Sequence, residues 1–266
     1  MEKKSREYNK NNEHETDSSR IPKYQIPLPK VGARVGKREY WKKGEDYLQL
    51  FIKLCDLTPD SSILDVGCGV GRMAIPLTKY LSEKGSYDGF DIVPRWIEWC
   101  QKEITSRYPN FHFITADIYN GNYNPDGRVT ASRYRFPYES GTFDLVFLTS
   151  VFTHMLPKDM ENYLKEVARV LKIGARCLIT FFLLNEEAES LIQAGLARKN
   201  RNFKHKGDGY KTYRQDRPES AIAYEEEYVR GLYRKFGLTI EEPIYYGSWC
   251  GRKKHLRGQD IVVAIK

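Results

Sequence analysis

The nine residues Ile63-Leu64-Asp65-Val66-Gly67-Cys68-Gly69-Val70-Gly71 constrain this 266-residue chain more than any other stretch. A short apolar strand runs straight into three alternating glycines, and a helix is expected at once. Glycines at such a turn let the backbone take unusual φ values and let a ligand approach where Cβ atoms would otherwise stand. The dinucleotide fingerprint spaces its glycines as G-x-G-x-x-G, whereas here the spacing is G-x-G-x-G and Arg72 occupies the place of the third glycine. That departure argues against a nicotinamide dinucleotide.

Around this loop the chain alternates strand-like and helix-like periodicity, the sign of a parallel sheet covered by helices on both faces. Strands are expected at about 62–67, 87–91, 111–116, 143–149 and 176–183, with helices at about 71–83, 94–107 and 158–171 and a helix stop at Gly174. Leu238–Tyr246 and Asp260–Ile265 read as a terminal hairpin after a helix over 224–236. The fold class is therefore α/β: a Rossmann-like, doubly wound, seven-stranded sheet, mostly parallel, with a C-terminal antiparallel hairpin strand.

Three segments stand outside that pattern. Residues 1–20 balance acidic against basic side chains and hold almost nothing apolar, so they read as a disordered tail. Residues 21–58 begin with proline-spaced extended chain and continue as a helix from about Glu39 to Leu57. Residues 184–223 come where a few connecting residues would suffice and read as an inserted cap on a domain spanning 59–266.

Chemistry converges on the carboxyl ends of the strands. The second strand ends at Asp91, twenty residues beyond Gly71, beside Ile92. A carboxylate there can accept hydrogen bonds from both hydroxyls of a ribose, because neighbouring parallel strands put the glycine loop and this strand tip side by side. The third ends at Asp117-Ile118, where a carboxylate can receive an exocyclic amine and an apolar side chain can flank a base. The fourth ends at Thr149-Ser150. In order and separation these four strand ends resemble the motifs of class I S-adenosylmethionine-dependent methyltransferases, of the type 11/25 kind, over about Asp60 to Thr180 and the terminal hairpin.

The resemblance implies S-adenosyl-L-methionine as cofactor and S-adenosyl-L-homocysteine as product. It implies that Asp65, Gly67 and Gly69 line the methionine end, with Cys68, Gly71 and Arg72 completing the loop, that Asp91 and Ile92 hold the ribose, and that Asp117 and Ile118 frame the adenine. Thr149 or Ser150 would stand near the sulfonium. Tyr40 and Gly44 belong to a segment resembling the one that covers the cofactor in such enzymes, and the terminal segment resembles those of bacterial enzymes linked to small molecules or glycans.

The acceptor is less legible. His154, just after the fourth strand, is the histidine best placed to remove a proton at this edge, with a helix-flanking polar residue as the alternative reading. Residues 195–217 carry eight Lys or Arg against two Asp, interleaved with Phe203, Tyr210 and Tyr213. Such a segment suits a nucleic-acid strand, an acidic small acceptor, or a solvated lid with no direct role. The expected activity is methyl transfer to an oxygen or nitrogen of a small-molecule or glycan-type acceptor. The alternatives are RNA or DNA methylation and a cofactor-binding partner without turnover.

Composition bounds these readings. The formal net charge of +8 favours anionic partners only in a general sense. The longest apolar run, Cys177 to Leu184, falls far short of a membrane span, and the first residues carry no export pattern. Five scattered cysteines without a C-x-x-C pair suggest neither a disulfide framework nor a metal site, which fits a cytoplasmic protein.

Overall fold

The computed structural model describes residues 24–30, 37–198 and 201–266; the expected tail at 1–20 lies outside them. The first helix, α1 (Lys37–Leu54), precedes a sheet built from β1 (Ser62–Val66), β2 (Ser86–Asp91), β3 (Phe111–Thr115), β4 (Phe143–Leu148), β5 (Leu171–Phe181), β10 (Thr239–Ile240) and β11 (Asp260–Ile265). Its strand order is β10-β11-β5-β4-β1-β2-β3. β1 pairs in parallel with β2 and β4, and β11 runs antiparallel to both of its neighbours, β5 and β10. The order reverses at β1, which opens the crevice where ligands bind in such sheets. This is the doubly wound architecture expected from the sequence.

Apolar residues cover both faces because β1 and β4 are buried on both. One layer joins Val66, Phe90, Val146 and Ile179 to α4 (Pro157–Val170) and α6 (Glu226–Lys235). The opposite layer joins Ile63, Phe147 and Leu178 to α1 and α3 (Pro94–Cys100), the latter continuing as a π turn to Thr105. Phe51 of α1 stacks on Phe147 with ring centroids 4.4 Å apart, which fixes α1 against the sheet.

Three local expectations change. The helix expected over 71–83 is a single turn, α2 (Ala74–Leu77), set among turns. Pro76 has no N–H to donate to the Arg72 carbonyl, and that carbonyl lies 2.6 Å from where a Cβ on Gly44 would stand. α4 ends at Val170 rather than at Gly174, and β5 starts immediately. Gly174, at φ +80°, lies inside β5, where the register against β4 slips between Phe143 and Leu145. The strand expected over 238–246 shrinks to Thr239–Ile240 plus a lone bridge from Tyr245 to Ile261, because Pro243 cannot donate to a ladder.

The segment expected as a cap is ordered. It contributes β6 (Leu183–Leu184), α5 (Glu186–Gln193), β7 (His205–Lys206), β8 (Tyr210–Thr212) and β9 (Ile222–Glu225), and it forms a second sheet in the order β6-β9-β8-β7. Phe182, Phe203 and Trp249 pack as its own small core. A short 3-10 turn, Pro218–Ser220, carries this unit onto the carboxyl edge of the main sheet beside the 3-10 turn Phe152–His154. There Tyr224 donates its hydroxyl to the Met155 carbonyl.

Candidate active site

The three loop glycines all take positive φ, but for different reasons. A Cβ on Gly67 would meet Val151 Cγ2 at 2.6 Å, and one on Gly71 would meet Ile104 Cδ1 at 2.7 Å. Beyond Gly69 there is nothing within 4 Å. Gly67 and Gly71 therefore serve close packing, while Gly69 faces open space at the crevice. Cys68 is buried, and burial holds its thiol well above the usual range. It is not a nucleophile at neutral pH.

Two cavities meet at the loop. One of about 300 Å³ is walled by Gly67, Asp91, Ile92 and Ile118 and reaches His154, Asp159 and Glu219. The other, about 230 Å³, is bounded by Asp65, Cys68, Arg72 and Lys43. Gly69, Trp96, Thr149 and Ser150 line both, so the two chambers form one trough across the glycine loop. Its extent suits an elongated small molecule.

Asp91 is buried on the wall of the larger chamber. Its Oδ2 accepts from the Gly69 N–H at 2.8 Å and its Oδ1 from the Val93 N–H at 3.0 Å. Burial raises its pKa above the ordinary carboxylate value, and the backbone donors of Gly69, Val93 and Ile92 oppose that shift.

Asp65 presents the sharpest electrostatic feature of the other chamber. Tyr87 donates to its Oδ2 at 2.6 Å, yet Oδ1 is buried without a hydrogen-bond partner among the described residues. Burial pushes its carboxyl up to about 8, with the Tyr87 hydrogen bond opposing and the Asp91 charge adding. An orphaned buried oxygen facing a chamber edged by Lys43 and Arg72 is the donor set that a zwitterionic amino-acid tail would complete. The Arg72 guanidinium lies over the Tyr40 ring, 4.7 Å from its centroid, and Tyr40 donates to the Val70 carbonyl at 3.1 Å. Tyr40 thus supports the loop from beneath. Gly44 lines neither cavity; it lets α1 approach the Arg72 carbonyl and Pro76.

Ser150 takes φ +63°, a conformation a non-glycine residue holds only when its surroundings impose it. Its N–H donates to Thr180 Oγ1 at 2.8 Å and its Oγ to Gln259 Oε1 at 2.9 Å, which pins the end of β4 to β5 and to the residue before β11.

Asp117 stands apart from the other strand ends. Its carboxylate pairs with the Arg128 guanidinium and accepts the Arg128 N–H at 3.1 Å, and it lines neither cavity. The Arg128 hydrogen bonds pull its pKa below the ordinary value. Of the pair expected at the adenine, Ile118 lines the trough, as do Tyr119 and Asn120 after it, while Asp117 does not.

His154 stands on the cavity wall. Its Nδ1 lies 2.9 Å from the Glu219 carbonyl, and a carbonyl only accepts, so Nδ1 carries the proton in that contact. Burial lowers its pKa, with the carbonyls of Glu219 and Ser220 opposing and Arg201 adding to the fall. Nε2 is thus left without a proton near neutral pH.

Several wall residues carried no sequence signal of their own: Lys43, Trp96, Asn120, Asp159, Tyr163 and Glu219. Only their arrival at one sheet edge distinguishes them from ordinary surface residues.

With this geometry in place, residues 63–174 match a family model described as a methyltransferase domain. The chain carries a class I methyltransferase domain. It is a methyl-transferring enzyme of the type 11/25 kind, and its cofactor is S-adenosylmethionine. The fold is shared with a SAM-dependent methyltransferase from Aquifex aeolicus, at a TM-score of 0.52 and 18% identity over 86% of this chain and 93% of that one. Among curated relatives, a Drosophila melanogaster protein named tRNA N(3)-methylcytidine methyltransferase is 23% identical over 88% of this chain and 69% of its own length. A Streptomyces protein named aklanonic acid methyltransferase is 29% identical over 49% of this chain and 70% of its own length. Among the described residues no helix is long and apolar enough to cross a membrane.

Proposed function

We propose that the trough binds S-adenosylmethionine across Gly69 and that the methyl group passes to an oxygen or nitrogen of a small-molecule or glycan-type acceptor near His154. The continuity of the two chambers at Gly69, Trp96, Thr149 and Ser150 carries this reading. Asp65 takes the ammonium of the amino-acid tail, Arg72 and Lys43 take its carboxylate, and Asp91 takes the ribose hydroxyls. Ile92 and Ile118 flank the base. When bound, the cofactor supplies an electrophilic methyl on a sulfonium, so orientation does most of the work.

His154 supports this reading as a proton acceptor. Its Nδ1–H is anchored to the Glu219 carbonyl, and Nε2 can hold a proton released by an acceptor hydroxyl or amine. The 3-10 turn Pro218–Ser220 excludes water from that side of the wall.

Calorimetry of S-adenosylhomocysteine binding tests the cofactor placement. Asp91→Ala should weaken binding by roughly 10- to 100-fold, the loss expected for hydrogen bonds to a charged group. Equal affinity in both proteins would overturn the ribose assignment.

A second reading, methylation of RNA, rests on the alignment to the protein named as a tRNA methyltransferase over 88% of this chain. It predicts oligonucleotide binding that weakens steeply with salt. Salt-independent or absent binding to a tRNA transcript would remove it.

A further inference from the structure

The larger chamber is negative. Its charged wall residues are Asp91, Asp159 and Glu219, with His154 held neutral, and no Lys or Arg lines it among the described residues. Asp91 already has two backbone donors and faces the glycine loop. Asp159 and Glu219 have no cation opposite them in the chamber. They come from different elements, Asp159 from the first turn of α4 and Glu219 from the turn that the second sheet carries over the edge. Burial comes first in raising the pKa of each; Ser132 hydrogen bonds oppose the shift at Asp159, and the charge of Asp159 adds to it at Glu219.

Four of the eight basic residues at 195–217 make side-chain contacts away from the chamber wall, although the Arg201 charge still acts on His154. Lys211 pairs with Glu189, Arg214 pairs with Asp216, the Arg201 guanidinium lies over Phe182, and Arg198 donates to Ser248 Oγ. Of the described residues from β6 to β9, Glu219 is the one that reaches the chamber wall. An acidic acceptor would have to enter against two carboxylates.

We infer that the acceptor is a small amine, recognised as its ammonium by Asp159 and Glu219 and seated against the Tyr163 ring beside His154. This rests on the proposed methyl transfer at the same site. An ammonium between two carboxylates gains charge-assisted hydrogen bonds and relieves their mutual repulsion, and an aromatic face adds to its binding. For transfer, the bound ammonium first gives one proton to His154 Nε2, which frees the nitrogen lone pair. The new N–C bond to the methyl carbon then forms as the C–S bond breaks, with that electron pair remaining on sulfur. Release of the His154 proton to water completes the balance.

The test uses the full chain saturated with S-adenosylhomocysteine and three probes of similar shape: phenethylamine, 2-phenylethanol and 3-phenylpropanoate. Ligand-observed NMR should show the amine bound at least tenfold more tightly than either of the others. The double variant Asp159→Asn/Glu219→Gln should lose that preference while binding S-adenosylhomocysteine as the wild type does. Equal binding of the three probes, tighter binding of the carboxylate, or no amine binding would overturn the inference. So would an amine preference that survives in the double variant. If instead the two carboxylates serve only the sulfonium, the variant will lose affinity for S-adenosylmethionine relative to S-adenosylhomocysteine and keep whatever amine binding exists, which also overturns it. Failure of S-adenosylhomocysteine to bind the wild type would mark failure of the underlying function instead.

Discussion

Tyr87 on β2 donates its hydroxyl to Asp65 Oδ2 at 2.6 Å, leaving Asp65 Oδ1 the buried oxygen with no partner. Neighbouring strands thus hold a carboxyl group half satisfied at the point where a ligand ammonium would complete it. The unpaired oxygen costs stability in the ligand-free protein, and a ligand ammonium that satisfies it recovers that cost as affinity.

The same pair sets a pH dependence of stability. Asp65 has its pKa raised from an ordinary 3.8 to about 8 by burial. Between those limits the folded chain keeps a proton that the unfolded chain releases, so the Asp65 contribution to stability falls as pH rises from about 4 to 8. Asp65→Asn removes that loss. The unfolding free energy of the ligand-free variant should equal or trail that of the wild type at pH 5 and exceed it at pH 8, by an amount on the order of 1–3 kcal/mol, read from denaturant melts at the two pH values. A difference that does not grow with pH would refute the assignment.

Gly69 and Gly71 should separate under substitution. Both take positive φ, so alanine costs roughly 1 kcal/mol of backbone strain at either. Gly71→Ala must also displace Ile104, whereas Gly69→Ala projects into open space. Gly71→Ala should therefore lose stability by a further ~1–3 kcal/mol of overpacking. Gly69→Ala should keep most of its stability and lose S-adenosylhomocysteine binding. Thermal melts paired with calorimetry distinguish the two, and the opposite ranking would show that the crevice lies elsewhere.

His154→Gln isolates proton removal from cofactor binding. Glutamine can still donate to the Glu219 carbonyl but offers no comparable base. Turnover should fall by roughly 10²-fold with S-adenosylhomocysteine affinity within twofold of wild type. Because burial depresses the His154 pKa below its ordinary 6.5, the midpoint of the acid limb of the wild-type rate should lie below pH 6.5.

The sequence made the sheet legible because β1, β2, β3 and β4 are short apolar runs whose polar ends fall at one edge, a pattern set by local chemistry. Asp65, Gly69 and Asp91 were readable for the same reason: each lies at a strand end, and its place follows from the strand. Lys43, Asp159 and Glu219 were not, because helix packing and the fold of the second sheet bring them in from distant segments. The length of α2 was misjudged because apolar periodicity outweighed Pro76, which breaks the helical bonding. The acidity of the chamber was hidden by the opposite sign of the segment above it. Lys211 and Arg214 find carboxylate partners within that unit, and neither net charge nor local composition reports such pairing.

Asp117 is ion-paired where its position suggests a free carboxylate. It stands just beyond β3, where a base-binding carboxylate is expected, but the loop that follows returns Arg128 to cover it. Gly127 makes that return possible, since a Cβ there would lie 2.3 Å from the Ile118 carbonyl oxygen. Asp117→Ala should accordingly change S-adenosylhomocysteine affinity by less than about twofold, the scale of an exposed ion pair that touches no ligand. Trp96→Ala should weaken it by roughly tenfold, because Trp96 lines both chambers and its ring would cover the ligand where they join. A tenfold loss in Asp117→Ala with none in Trp96→Ala would mean that Arg128 yields to the adenine on binding, and it would restore the carboxylate to the base-binding role.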